Sequence, residues 1–263
     1  MFSELIRLAG FKRLLFETVY ADVRNRYAGS AFGILWMVLF PLAQLSIYAL
    51  LYVAIFKIRP SGLTEFEYVL MVFSGLVPLF IFNDGVTNAA SGLLAHKVLL
   101  INTTFPMELI PVRAALAAQV PPMIGLLATL ILGAILGRTG WLAVVAVPFF
   151  WLLLLGFVIG IGWLLSLVSV VVRDVQHGMG LIIMMLIMLS PFAYTPEMVP
   201  EGMKFIILIN PLTYFVLPFQ SVICYDRWPD IQIFGGMVVL SFSAFFFGLN
   251  RFGRFKHAVA DHV

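Results

Sequence analysis

Trp36, Phe40, Gln44, Tyr48, Tyr52 and Phe56 recur at every fourth position of one uncharged stretch. Aromatic rings stack on the C–H faces of sugars, and a glutamine amide or tyrosine hydroxyl bonds to sugar hydroxyls. A helix turns ~400° over four residues, so neighbouring members share a face while the run drifts by ~40° per step. Such a lining would let a glycan slide without gripping one sugar sequence. The same rings could instead meet lipid or other helices, because Tyr and Trp gather at membrane interfaces without any substrate. Met184 and Met188, with Met179 and Met185, bring flexible thioethers to a later apolar stretch. They suit a helix that repacks beside a path, and equally suit plain buried packing.

Two other segments stand out. His96–Arg113 holds the apolar run Val98–Ile101, then Asn102-Thr103-Thr104, Phe105-Pro106, Glu108, Pro111 and Arg113. Pro106 suits the first turn of a short helix bounded by Thr104 or Phe105; the alternative is an ordinary loop. Later, Phe192, Tyr194, Phe205, Tyr214, Phe215, Phe219, Tyr225 and Trp228 crowd a segment that Pro191, Pro196, Pro200, Pro211 and Pro218 cut into pieces.

Enzymatic chemistry is missing. There is no G-x-x-x-x-G-K-[ST] and no Gly-Lys dipeptide, so no P-loop cradles ATP phosphates. His96, His177, His257 and His262 fall in no metal-ligand spacing. No carboxylate is expected within a membrane span, which speaks against a proton-coupled carrier and against a glycosyltransferase. A net charge of +3 is too small and dispersed for a nucleic-acid surface, and the lone Cys224 makes no bridge within the chain. The expectation is a conduit with no catalytic residue, metal or cofactor of its own.

The elements that must position these residues follow from composition. Of 263 residues, 62% are hydrophobic and 11% charged, against ~45–50% and ~25% in a soluble domain. Six uncharged stretches, Ala31–Phe56, Tyr68–Asn83, Ala114–Leu136, Trp141–Val172, Gly178–Thr195 and Ile231–Asn250, approach or exceed the ~17–25 residues of a membrane-crossing helix. Tyr68–Asn83 is the shortest, so its helix should extend further or be covered by neighbours. The runs are continuously apolar and lack the alternation of a membrane barrel. An all-α integral membrane protein of six transmembrane helices is expected, with 31–250 as the membrane part of a single domain and 251–263 as a tail.

Phe205–Tyr225 is a seventh uncharged run, broken by Pro211 and Pro218. With six spans and a cytoplasmic N-terminus, the inside segments hold eleven Lys/Arg and the outside five; seven spans give nine and seven. The positive-inside rule prefers six, leaving Phe205–Tyr225 as two short re-entrant helices in the outer leaflet. Such broken helices need cover from protein or a water-filled cavity. In residues 1–30, Leu5, Leu8, Phe11, Leu15, Val19 and Val23 recur at helical spacing among basic residues. They describe an amphipathic helix on the cytoplasmic interface, or simple anchoring of the first span.

Several motifs occur in a family's order. Arg26-Tyr27-Ala28-Gly29-Ser30 with Phe32-Gly33-Ile34-Leu35-Trp36 and Pro41-Leu42 is similar to the R-Y-x-x-S-x-L-G-x-L-W-x-x-x-x-P-L start of the first span in polysaccharide ABC exporter permeases, of the ABC-2 type. Phe105-Pro106-Met107-Glu108-Leu109-Ile110-Pro111 resembles their F-P-x-x-x-x-P loop. Arg173-Asp174, Ser190-Pro191-Phe192-Ala193-Tyr194 with Pro200, and Asn210-Pro211-Leu212 resemble the R-D, S-P-x-x-Y…P and N-P-L motifs. Arg173-Asp174 is closer to the O-antigen and teichoic-acid branch than to the capsule branch.

The resemblance implies a homodimer joined to two cytoplasmic ATPase subunits that bind ATP and magnesium, exporting lipid-linked polysaccharide, O antigen foremost, across a bacterial inner membrane. Both termini would be cytoplasmic. It implies a coupling helix around Asn102, Phe105, Pro106, Glu108 and Arg113 against the ATPase, and an external gate carried by Tyr194, Tyr214, Phe215 and Phe219. Rival readings are a drug or small-lipid exporter of the same class, a membrane enzyme handling lipid-linked sugars, and a structural scaffold.

Overall fold

The computed structural model describes Leu8 and residues 10–55, 62–95, 105–172 and 174–260, with side chains described as far as Lys256. Leu5, Phe56, Val98–Ile101, Asn102-Thr103-Thr104, Arg173 and three of the four histidines (96, 257 and 262) lie outside what is described, in backbone or in side chain. Among the described residues every regular element is helical.

Helix α1 (Lys12–Arg26) is followed by a 3-10 turn, Gly33–Leu35, which opens into α2 (Trp36–Ala49) and a wider π-helical stretch, Leu50–Ile55. Then come α3 (Glu65–Ala95), α4 (Leu109–Ala118), α5 (Val120–Ile135) and α6 (Trp141–Val171). The chain closes with α7 (Val175–Met188), the short α8 (Lys204–Ile209), α9 (Thr213–Cys224) and α10 (Ile231–Ala260).

Local chemistry sets several boundaries. Thr64 and Glu67 cap the start of α3 reciprocally: the Thr64 N–H donates to Glu67 Oε2 at 2.8 Å, and the Glu67 N–H to Thr64 Oγ1 at 3.4 Å. Arg138 adds a bond from its Nε to Glu67 Oε1 at 2.6 Å. At the end of α5, Gly137 has φ +65°, and the N–H groups of Gly137 and Arg138 donate to Ala134 and Gly133 oxygens. Those two bonds satisfy carbonyls the helix leaves open. Pro121 and Pro122 lack the N–H groups that would continue α4 into α5. The break falls at Gln119, whose amide Nε2 donates to Ala115 O at 3.2 Å and to Ile81 O at 3.3 Å, within one span that runs from Leu109 to Ile135.

Five stretches are long and apolar enough to cross a membrane: Gly33–Ile55, Glu65–Ala95, Leu109–Ile135, Trp141–Val171 and Ile231–Lys256. They match five of the expected six spans. The remaining one differs. Helix α7 ends at Met188, well before Thr195, and its 14 residues cover only ~21 Å of a ~30 Å hydrocarbon core. Pro191 is the cause, since it lacks a donor and disfavours helical geometry in the residue before it.

The expected extension of the second span is present and carries a correction. Because α3 runs to Ala95, Asp84 lies inside it, so a carboxylate does occupy a helix long enough to span. A charged residue was read as the border of that span, whereas the helix continues through it.

Helix α3 is the centre of the bundle, with 78% of its most apolar window buried. It packs on α6, α4 and α9, and α6 carries α10 on its other side. Gly160 of α6 meets Ala244 and Gly248 of α10 backbone to backbone, the close approach small residues permit between membrane helices. Helices α8 and α9 form the broken pair, bent by 97°. Protein covers α9: Phe215 stacks on Phe157 at 5.1 Å, and Phe219 lies 6.0 Å from Phe150. Helix α1 rests on α4, with Leu8 buried and Phe11 and Leu15 packed against the core.

Candidate functional site

The aromatic series on α2 divides in two. Trp36 and Phe40 are exposed, and Gln44, Tyr48 and Tyr52 are half-buried. Tyr48 and Tyr52 stack with centroids 6.5 Å apart, and both meet Phe192 edge-on at 5.9 and 5.7 Å. Phe80 of α3 closes the cluster at 6.1 Å from Tyr48. On α7, Met179 and Ile183 face the core, while Met184 and Met188 are exposed. Within one chain these residues therefore line no closed path. Trp36, Phe40, Met184 and Met188 lie on the faces of α2 and α7 that the bundle leaves uncovered, with only 11% of the most apolar window of Gly33–Ile55 buried.

A polar stripe on α3 escaped the sequence reading. Asn83, Asp84, Thr87, Asn88 and Ser91 fall within an arc of about 140° at 100° per residue. The stripe begins at Asn83, the last residue of the uncharged run Tyr68–Asn83, and continues along the helix beyond it. Asn83 Nδ2 donates to Asp84 Oδ1 at 2.9 Å, and Asn88 Nδ2 to the Asp84 backbone oxygen at 2.7 Å. From the end of α1, Arg26 Nη2 donates to Asn88 Oδ1 at 2.7 Å. Tyr27 completes the group; burial raises its phenol pKa, with Arg26 opposing and Asp84 adding to the rise. Thr87 is exposed, so the stripe offers hydrogen-bonding groups to whatever passes it.

The segment Phe105–Arg113 turns inward. Phe105, Glu108 and Arg113 are buried, and Pro106 is half-buried. Pro106 starts a turn: the Leu109 N–H donates to its oxygen at 2.9 Å before α4 begins. Pro111 falls in the first turn of α4, where a missing N–H costs nothing. Lys256 Nζ lies 2.6 Å from Glu108 Oε1, and Trp163 Nε1 donates to the Glu108 oxygen at 2.8 Å. Arg113 holds Asp22 of α1 through two bonds. Glu108 and Arg113 thus tie the segment to α10, α6 and α1.

At the opposite end, the four aromatic residues named for a gate divide by burial. Phe215 and Phe219 are packed in the core, and Tyr194 and Tyr214 are half-buried. Tyr194 donates to Leu189 O at 2.9 Å, and Tyr214 to Leu208 O at 3.0 Å. Asn210 explains the chemistry of its motif. Its Nδ2 donates to Leu186 O at 2.8 Å and Ser190 Oγ at 3.0 Å, and its Oδ1 accepts from the Leu212 N–H at 3.0 Å. Gln220 Nε2 donates to Phe192 O at 3.0 Å and Met71 O at 3.2 Å. Nearby, Glu197 is held below the usual carboxylate range by its own backbone N–H and by Thr195.

Among the described residues no group of three His, Cys, Asp or Glu side chains could hold a metal ion. What the arrangement offers is a packed bundle with apolar helices that a single chain leaves largely uncovered, α2 and α7 among them, a polar stripe and ion-paired ties at one end.

Three curated relatives share the name "O-antigen export system permease protein RfbA". One from Myxococcus xanthus is 24% identical over 224 residues, covering 84% of each chain. Two from Klebsiella pneumoniae are 26% and 25% identical, each covering 94% of both chains. The family model described as "ABC-2 type transporter" matches residues 14–223. That match takes in most of α1, the uncovered α2, the polar stripe, both prolines of the Phe105–Arg113 segment and nearly all of α9, and the chain belongs to the ABC-2 type transporter family.

Proposed function

We propose that this chain is the membrane-spanning subunit of an ATP-driven exporter that carries lipid-linked O antigen across the bacterial inner membrane. It works as a homodimer with two cytoplasmic ATPase subunits, which bind the ATP and magnesium. Both termini face the cytoplasm.

The observation that carries this reading is the pairing of uncovered helices with a polar stripe. Helix α2 leaves Trp36 and Phe40 exposed, α7 leaves Met184 and Met188 exposed, and Thr87 opens from α3. A second copy set against α2 and α7 would enclose a path offering aromatic faces and hydrogen-bonding groups, which is the chemistry a hydrated sugar polymer needs. The relatives' shared name supports O antigen as the polymer. Force would enter through Phe105–Arg113, and the bent pair α8–α9 with Tyr194 and Tyr214 would close the far end at rest.

The test is to co-express the chain with its candidate ATPase, purify the complex and follow ATP hydrolysis with and without lipid-linked glycan. Stimulation by the glycan is expected. A complex that forms but ignores glycans would overturn the substrate, and a chain that recruits no ATPase would overturn the exporter.

A further inference from the structure

We infer that the Glu108–Lys256 ion pair is a positioning clamp that makes α10 move with the segment receiving force from the ATPase; this rests on the exporter reading above. The two residues are 148 positions apart in sequence, with Nζ 2.6 Å from Oε1. Their side chains are only 5% and 15% exposed. The backbone of Glu108 is held as well, because Trp163 of α6 donates to its oxygen at 2.8 Å. The Trp163 ring in turn lies 5.2 Å from Phe245 of α10. Residue 108 is therefore where α4, α6 and α10 are joined.

Helix α10 packs extensively on α6 alone, but little of its remaining surface is covered. Only 17% of its most apolar window is buried, and its tight crossing with α6 is at Gly248, about 12 Å along the axis from Lys256 at 1.5 Å per residue. Beyond that crossing Leu249 and Phe252 are buried in the core, and the ion pair adds a directional link from the last turns of the helix to the coupling segment. Stability alone does not account for it, since a buried ion pair gains little over an apolar pair of similar volume. Unlike charges supply something apolar side chains lack: one defined register that resists sliding under load. A displacement of Phe105–Arg113 is then passed to α10 through Lys256, and to α1 through the Arg113–Asp22 pair.

The experiment uses the full chain assembled with its ATPase in proteoliposomes, reading glycan exported per ATP hydrolysed and thermal stability together. Three variants are compared: Glu108→Leu with Lys256→Met, the exchange Glu108→Lys with Lys256→Glu, and Lys256→Arg alone. The apolar pair should keep its thermal stability yet export about tenfold less per ATP, inside the ~5–150-fold range of an ordinary coupling free energy. Lys256→Arg should retain most of the wild-type ratio, and the exchange should recover much of it. An apolar pair with the wild-type ratio would overturn the clamp, as would a Lys256→Arg chain that folds normally but is as uncoupled as the apolar pair. A wild-type chain that assembles with no ATPase would remove the exporter reading first and this inference with it.

Discussion

Arg113 grips Asp22 across ninety-one residues of sequence, its Nε donating to one carboxylate oxygen at 2.5 Å and its Nη2 to the other. The side chains are 7% and 20% exposed, so water screens the pair little. A fork of two parallel bonds also fixes direction, which a lysine could not do. Helix α1, which packs on α4, is thereby attached to the first turns of that helix by charge as well.

Removing one partner of a buried pair leaves the other charge without compensation. Arg113→Met should destabilise the chain by about 3 kcal/mol and release α1 from the bundle. Asp22→Asn keeps one acceptor but turns a donor toward Arg113 and leaves its buried charge uncompensated, so it should cost a comparable amount, about 3 kcal/mol. Limited proteolysis in detergent would register the first change as faster cleavage between α1 and α2. Equal cleavage rates in wild type and Arg113→Met would refute the attachment.

The crossing of α6 and α10 makes a sharper steric prediction. A Cβ at Gly160 would collide with the backbone of Ala244 and Phe245, and one at Gly248 with the backbone of Gly160. Neither neighbour can swing away as a side chain would. Gly160→Val should therefore cost at least the ~1–3 kcal/mol of an overpacked core and lower the amount of folded chain in membranes. Gly156, one turn away on α6, has open space around its missing Cβ, so Gly156→Ala should be tolerated. Comparable folded yields for Gly160→Val and Gly156→Ala would rule the crossing out.

The long apolar runs made α2, α6 and α10 legible, because a helix that crosses lipid must be uncharged for most of its length. Asp84 was harder: a charge marks the end of a span only when nothing receives it, and here Asn83 and the nearby α1 do. Glu108 shows the same difficulty at one residue. Its type and its place beside Pro106 are readable, but the sequence does not say that it turns inward to a lysine at the far end of the chain. Phe215 and Phe219 stood out as aromatic residues near prolines. Only the 97° bend between α8 and α9 reveals that they fold back into the core.

That bend is held by two amides, and each should be testable alone. Gln220 Nε2 reaches Phe192 O and Met71 O, while Asn210 joins Leu186 and Ser190 to the start of α9. Gln220→Leu would take the amide donor from Phe192 O, while Met71 O keeps the Ser74 hydroxyl at 2.9 Å; the loss should cost about 1–3 kcal/mol for an unmet buried group and loosen the chain between α7 and α8. Raised permeability of proteoliposomes to a small dye, with the bundle still folded, is the expected reading. An unchanged leak in both Gln220→Leu and Asn210→Ala would argue that packing alone holds the bend.

Phe219 should behave differently from Tyr214, although both lie in α9. Phe219 is fully buried against Phe150, so Phe219→Ala should cost about 3–5 kcal/mol and appear first as lost protein. Tyr214 is half-buried, and its hydroxyl meets only the Leu208 oxygen among the bonds described. Tyr214→Ala should leave more folded chain and show its effect in leak or export instead. Similar folded yields for the two variants would contradict the burial of Phe219.

The polar stripe on α3 gives the prediction that bears most directly on transport. Thr87 is exposed, while Asn83 and Asn88 are half-buried and already bonded to Asp84 and Arg26. If sugar hydroxyls pass along this face, Thr87→Leu removes a hydrogen-bonding group without disturbing that internal network, and the passing polymer loses a partner it cannot replace from an apolar wall. A neutral hydrogen bond contributes about 0.5–1.5 kcal/mol net, so export should slow by a few-fold, with folding and ATPase assembly intact. Thr87→Ser, which restores the hydroxyl, should recover the rate, whereas loss of packing would be made worse by that smaller side chain. Initial export rates for the three chains at matched ATP hydrolysis decide it, and a Thr87→Leu chain as fast as wild type would take the stripe out of the path.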